Sequence, residues 1–468
     1  MHFLRGLLFA VMAFAAVIGL AQEEEVRTVG ALYGEHDGYT LMRTQNNRFV
    51  FLLNDQGERV HQWYVDVGGS DAFLMENGDL VITAPRVNPI EENDFASVFP
   101  WVSGYGRIMR FDWDGELLWE YEFDRPDYRV HHGINVRPNG NILFIAWHYK
   151  TPEEAMQAGR EPEGLGDSGL WSEVFLEYDP NADEIVWEWH LWDHLIQDYD
   201  PDAENYGVVA DHPELVNINY YDANPLIDDW IHVNAINYNP QLDQILVSAR
   251  EFNEVWVIDR NTTTEEAAGE SGHLLYRWGH PFTYGRGDFD DRQMFYQHDL
   301  QWIPEGYPGA GNIIAYSNRH TTEDAPEGAY STVIEFTPPV NEDGTYTIED
   351  GEPFAPLEPT WQFIADPPEL VFSSLISGTQ RLRNGNTLIT VGGDGRLLEV
   401  TPDNEIIWEY VAPYVGLEIV PQGAEPDGRI FRARRYEADY PAFDGRDLTP
   451  MSTVEALGEA TTSEEETE

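Results

Sequence analysis

Alternating apolar and polar positions, reversed at Asn-Gly turns, recur along this chain, most clearly from His131 to Leu143 in HHGINVRPNGNIL. An alternating strand, a turn at Asn139-Gly140 and a following apolar run form the pattern of a β-hairpin. It returns at Asp229–Arg250, Tyr296–Arg319, Ser377–Leu388 and, more weakly, Asp71–Arg86. A second recurring unit pairs an apolar strand with a Trp-bearing strand across a polar turn. Its six copies carry Trp63, Trp119, Trp187, Trp278, Trp361 and Trp408, expected to pack between neighbouring sheets with no chemical role.

Two hairpins make one four-stranded sheet, and internal repeats of about 40 to 70 residues point to a radial array. The predicted fold class is all-β, a six-bladed β-propeller of four-stranded antiparallel blades. The blades fall at 38–66, 69–123, 130–190, 230–279, 296–363 and 372–411, and the strand-like GRIFRARRY, Gly428–Tyr436, returns to complete the first. Two long insertions, Lys150–Ser172 and Leu191–Asp228, flank the end of blade three. Within the second, Asp198, Asp200 and Asp202 are spaced like a calcium loop, but Ala203 and Val209 replace the Gly and Glu that such a loop needs.

Composition changes the picture at the ends and on the surface. Met1–Ala21 carries Arg5, an apolar run from Leu7 to Leu20, and small residues at Gly19 and Ala21, the pattern of a cleavable secretory signal rather than a retained anchor. The expected organisation is a signal peptide at 1–21, the propeller at 22–445 and an acidic disordered tail at 446–468, in a secreted or periplasmic protein not inserted in a membrane after cleavage. Cysteine is absent, which removes disulfides, thiolate metal sites and Cys nucleophiles. Lys+Arg 27 against Asp+Glu 84 gives −57, which argues against nucleic-acid partners and anionic membrane surfaces. So acidic a surface suits a halophilic protein, because concentrated salt screens the repulsion.

Against that charge, candidate chemistry gathers at one end of the hairpins. Aligned on their turns, Ser70, His132, His232, His298 and Ser377 share one level of the central channel, and the second strands end at the same mouth with Arg86, His148, Arg250 and Arg319. Arginine forks suit oxyanions, and imidazoles serve as nucleophiles, bases or metal ligands near neutral pH. His131, next to His132, is expected to point the other way along the strand and to be structural. His194, His212 and His320 receive no role.

At VHHGINVRPNGNIL, DWIHVNAINYNP, YQHDLQ and SGTQRLRNGNTLI the chain resembles the bacterial arylsulfotransferase family, over nearly all of Gly38–Tyr440. The resemblance implies an exported six-bladed propeller that passes a sulfuryl group from an aryl sulfate to a phenol, with neither nucleotide donor nor cofactor, through a sulfated histidine. His232 and His298 match two of the family's active-site histidines, and Arg319 its sulfate-binding arginine. The family's nucleophile belongs near the start of the last blade, where Phe372–Gln380 contains no histidine. The expected catalytic set is therefore His132, as substitute nucleophile, with His232 and His298. Arg319, Arg250, Arg86 and Ser377 are expected to bind substrate. Two readings from other classes stand beside it: a hydrolase or lyase whose three histidines hold a metal ion, and a noncatalytic propeller that binds carbohydrate or peptide. A quinone-cofactor dehydrogenase is weaker, for want of an acidic cofactor-metal constellation.

Overall fold

The structure, a computed structural model, describes residues 30–33, 38–86, 105–123, 125, 127–221, 228–322, 325–420 and 426–457. The expected signal peptide, 1–21, lies outside them. Six antiparallel sheets form the propeller. Blade three runs outward from the channel as Tyr128–Val136, Ile142–Lys150, Leu170–Asp179 and Glu184–His190. Blades two, four, five and six open on Ala72–Leu74, Val233–Asn239, His298–Trp302 and Gly378–Arg381. Among the described residues no helix is long and apolar enough to cross a membrane.

The apolar runs after the turns are explained by burial on both faces. Along Ile142–Ala146, Leu143 and Ile145 enter a cluster shared with blade four, while Ile142, Phe144 and Ala146 enter one shared with blade two. Six such clusters occupy the six seams between blades, so successive side chains of a middle strand serve different neighbours and all are apolar.

The recurring tryptophans pack as expected and also latch the seams. Trp63, Trp278, Trp361 and Trp408 each donate Nε1–H to a carbonyl of the next blade, Asp112, Pro356, Pro402 and Asp55 respectively. Trp187 donates to Thr262 Oγ of blade four. Trp119 makes no such bond, and the seam between blades two and three is filled by Tyr121 stacked on Tyr178 at 3.9 Å.

Both chain ends close the ring. Arg434–Tyr436 pairs with Tyr39–Met42 and is the innermost strand of blade one, as the GRIFRARRY reading anticipated. Gly30–Tyr33 adds a fifth strand outside blade six by pairing with its Ile406–Val411 strand, so that sheet exceeds the expected four. The stretch expected to be solvated from 446 onward is packed for its first part. Arg59 donates to the Ser452 carbonyl and hydroxyl, Thr453 bridges to Glu58, and Val454 is fully buried. Residues 458–468 lie outside the described residues.

Candidate functional site at one mouth of the channel

In blades three, four and five the inner strand departs from regular pairing as it reaches this mouth. In blade three the ladder passes from Ile134↔Phe144 to His131↔Ile145, leaving His132 and Gly133 as a bulge in which His132 has a φ of 54°. His232 has a φ of 52°. Left-handed backbone at non-glycine residues costs on the order of 1 kcal/mol or more each and collects at functional sites. The bulge also breaks the alternation on which the structural reading of His131 rested. His131 Nδ1 lies 2.8 Å from His132 Nδ1, its ring stacks on Trp147 at 3.6 Å, and its Nε2 is 3.1 Å from Glu173 Oε2. His131 therefore faces His132 rather than pointing away from it, which corrects the expected direction.

His132 and His232 meet edge to face with ring centroids 4.6 Å apart. They do so from different register positions. Two residues before the equivalent pairs Ile134↔Phe144, Ile236↔Val247 and Leu300↔Ala315 stand His132, Asn234 and His298, so turn counting misplaced His232 by two residues. His232 reaches the centre from the segment before its strand, with Nδ1 hydrogen-bonded to Asp229. His298 is engaged at both nitrogens: Nδ1 faces Asn318 Oδ1 at 2.7 Å, and Nε2 accepts from the Ile376 N–H at 3.3 Å.

Burial makes these imidazoles reluctant to protonate. Desolvation, then the neighbouring His232, holds His132 well below the usual histidine range, and desolvation with the Arg250 charge does the same to His298. Desolvation lowers His131 to about 3. Glu173 goes the other way: burial, then Asp229, raises it well above the carboxylate range, although Val233 N–H and Trp147 Nε1–H both donate to it.

Arg250 and Arg319 stand apart from Arg86, although Arg250 also pairs with the adjacent Glu251. Arg250 and Arg319 both lie over the Tyr296 ring, with guanidinium carbons 4.9 and 4.8 Å from its centroid. Arg319 Nε donates to the Ser374 carbonyl at 2.9 Å. Burial and then Arg319 bring Arg250 down to about 10, still cationic at neutral pH. Arg86, expected in the same set, instead donates to the Phe123 carbonyl and sits 3.4 Å from Glu122 within its own blade. His148 is likewise drawn off, stacked on Tyr128 and 3.3 Å from Asp127. Ser377 is buried and accepts from Asn318 Nδ2 at 3.3 Å, which ties it to the partner of His298.

Sequence reading missed the floor beneath the histidines. Arg432, from the closing segment, lies 3.0 Å from Asp299 and 3.4 Å from Asp71, and Arg434 makes a 2.6 Å pair with Asp71. A side chain at Gly133 would stand 3.1 Å from Arg432 Nη1, and one at Gly378 only 2.8 Å from Asp299 Oδ2, so either would push against the ion pairs of the floor. The available signal was an aspartate at the start of two inner strands, SDAFL and HDLQW. Among the described residues no group of three or more His, Cys, Asp or Glu is placed to hold a metal ion.

Fold and site together define a six-bladed propeller whose channel mouth gathers paired imidazoles flanked by two guanidiniums. The family model described as Arylsulfotransferase (ASST) matches residues 37–412, and the chain belongs to that family. No curated protein matches it. Among solved structures, a Bacteroides caccae protein of unknown function is 11% identical, with 85% of this chain and 98% of that chain covered and a TM-score of 0.43. A virginiamycin B lyase from Staphylococcus aureus is 11% identical, covering 81% of this chain and 87% of that chain at a TM-score of 0.36. Likenesses this loose say nothing about chemistry.

Proposed function

We propose that the protein is an exported, halophilic arylsulfotransferase-like enzyme that moves a sulfuryl group from an aryl sulfate to a phenol at this histidine mouth. One observation carries the reading beyond family membership: two imidazoles in edge contact, each held at Nδ1 by a separate partner, beside two arginines on one tyrosine. When Glu173 is ionised it accepts from His131 Nε2–H, His131 then accepts at Nδ1 from His132, and the His132 Nε2 lone pair is available as nucleophile. Arg250 and Arg319 bind the sulfuryl oxygens. The S–N bond to His132 forms as the S–O(aryl) bond breaks, and the departing phenolate takes the proton of His232 Nε2. In the second half His232 removes the proton of the acceptor phenol, whose oxygen attacks sulfur as the S–N bond breaks.

Sulfuryl transfer from a nitrophenyl sulfate to a second phenol, measured at molar salt, tests the activity. Stoichiometric sulfate label on the His132 peptide before acceptor is added tests the intermediate. Transfer without any labelled peptide would replace the two-step path by direct attack.

The pH profile follows from burial. A group whose folded pKa is depressed stays neutral to lower pH, so His132 and His298 remain unprotonated below the ordinary imidazole value of about 6.5. The acid limb of kcat/KM for the aryl sulfate is expected below pH 6.5, and a limb at or above that value would mean that the attacking group is not the buried His132 imidazole.

A further inference from the structure

The channel has a second mouth at the turn side, beyond the Asp71, Asp299 and Arg432 floor, with a cavity of about 450 Å³. That is within the ordinary range for a small-molecule pocket, roughly 300 to 1,000 Å³. Its wall repeats around the ring. One residue after the equivalent ladder pairs Ile134↔Phe144, Ile236↔Val247, Leu300↔Ala315 and Thr379↔Ile389 stand Asn135, Asn237, Gln301 and Gln380, a side-chain amide from each of four consecutive blades. These four are partly exposed, whereas Ile134, Ile236, Leu300 and Thr379 beside them are buried.

Three of the four amides also make bonds within the fold, Gln301 Nε2 donating to Asp299 Oδ2 at 3.4 Å. Gln380 is engaged at both ends by the Arg435 main chain, at 2.9 and 2.8 Å. Asn237 Oδ1 accepts from Trp302 N–H at 3.1 Å. Among the described residues, the Asn135 amide and the Asn237 amino group carry no intramolecular bond, and an amide offers both donors and acceptors.

The charges of the cavity exclude an anion as its natural occupant. Each lining arginine already has a carboxylate: Arg383 with Asp439 at 3.0 Å, Arg432 with Asp299, Arg434 with Asp71, and Arg435 with Glu399. Glu76 and Glu437 add further carboxylates to the lining, so the pocket of amides disfavours an anion on balance, and the Phe73 and Tyr307 rings stand in its wall. Paired donors and acceptors beside aromatic rings match a ligand with hydroxyls on its edges and C–H groups on its faces. We propose that this mouth is a second binding site, separate from the histidine mouth, for a neutral carbohydrate of mono- to disaccharide size.

Saturation-transfer NMR on the full chain, with maltose as neutral probe and glucuronate as anionic probe, tests this. Maltose is expected to bind, glucuronate at least about tenfold more weakly, and Asn135→Leu/Asn237→Leu to weaken maltose by about tenfold or more, with aryl-sulfate turnover unchanged. Tyr307→Ala, on the rim, is expected to weaken maltose too, and it serves if circular dichroism shows the double variant unfolded. No maltose signal, glucuronate equal or stronger, or maltose binding unaltered in a folded variant would overturn the proposal. Turnover at the histidine mouth is read independently, so loss of either reading leaves the other standing.

Discussion

His132→Ala is expected to lower sulfuryl transfer by about 10⁴-fold or more, since removing a nucleophile forfeits the whole covalent path. No other side chain can take its place unchanged. His298 has both nitrogens engaged, and Ser377 is buried against Asn318. His232→Ala is expected to be milder, about 10² to 10⁴-fold, as for loss of a general acid–base. The distinguishing readout is the labelled peptide. His232→Ala still acquires sulfate on His132 from a good leaving group such as nitrophenolate, whereas His132→Ala acquires none. Label and transfer persisting in His132→Ala, with the tag found on the His232 peptide, would exchange the two roles.

Arg432→Leu is expected to destabilise the fold by about 3 to 5 kcal/mol, the usual consequence of leaving a buried carboxylate without its cation. Arg432 and Asp299 are each almost wholly buried, so solvent screens little of that loss. Burial already raises Asp299 above the carboxylate range despite Arg432, and the same removal would leave Asp71 with Arg434 alone. Arg432→Leu/Asp299→Asn is expected to recover much of the stability, because the uncompensated charge is then gone. Urea unfolding of the three proteins measures both effects. Equal loss in the single and double variants would mean that Arg432 acts through packing on Phe431 rather than through charge.

The six blades were legible because each repeats a pattern set by local physics: alternation in the inner strand, an Asn-Gly turn, then strands apolar on both faces. The histidines were legible as recurrences, and two of their positions were not. A left-handed bulge at His132 turns His131 toward the site, and His232 stands two residues outside the aligned register, because period-two counting assumes an unbroken strand. Arg86 and His148 sit at the right strand ends, but nearby carboxylates hold them there, and such partners cannot be read from spacing. Glu173 and Arg432 were invisible for a different reason. Each completes its contacts across distant parts of the chain: Glu173 bonds Val233, and Arg432 meets Asp71, 361 residues away in sequence.

Five of the six seams carry a directional tryptophan bond, each from a blade to the one that follows it, and the pair of blades joined through the chain ends is among them. Blades six and one, where the ring is spliced, are fastened by Trp408. Blades two and three meet instead through the Tyr121–Tyr178 stack, with the Ile134 N–H bonded to Asp71 nearer the channel. The Tyr128–Val136 strand, which carries His131 and His132, thus borders the seam where Trp119 supplies no latch.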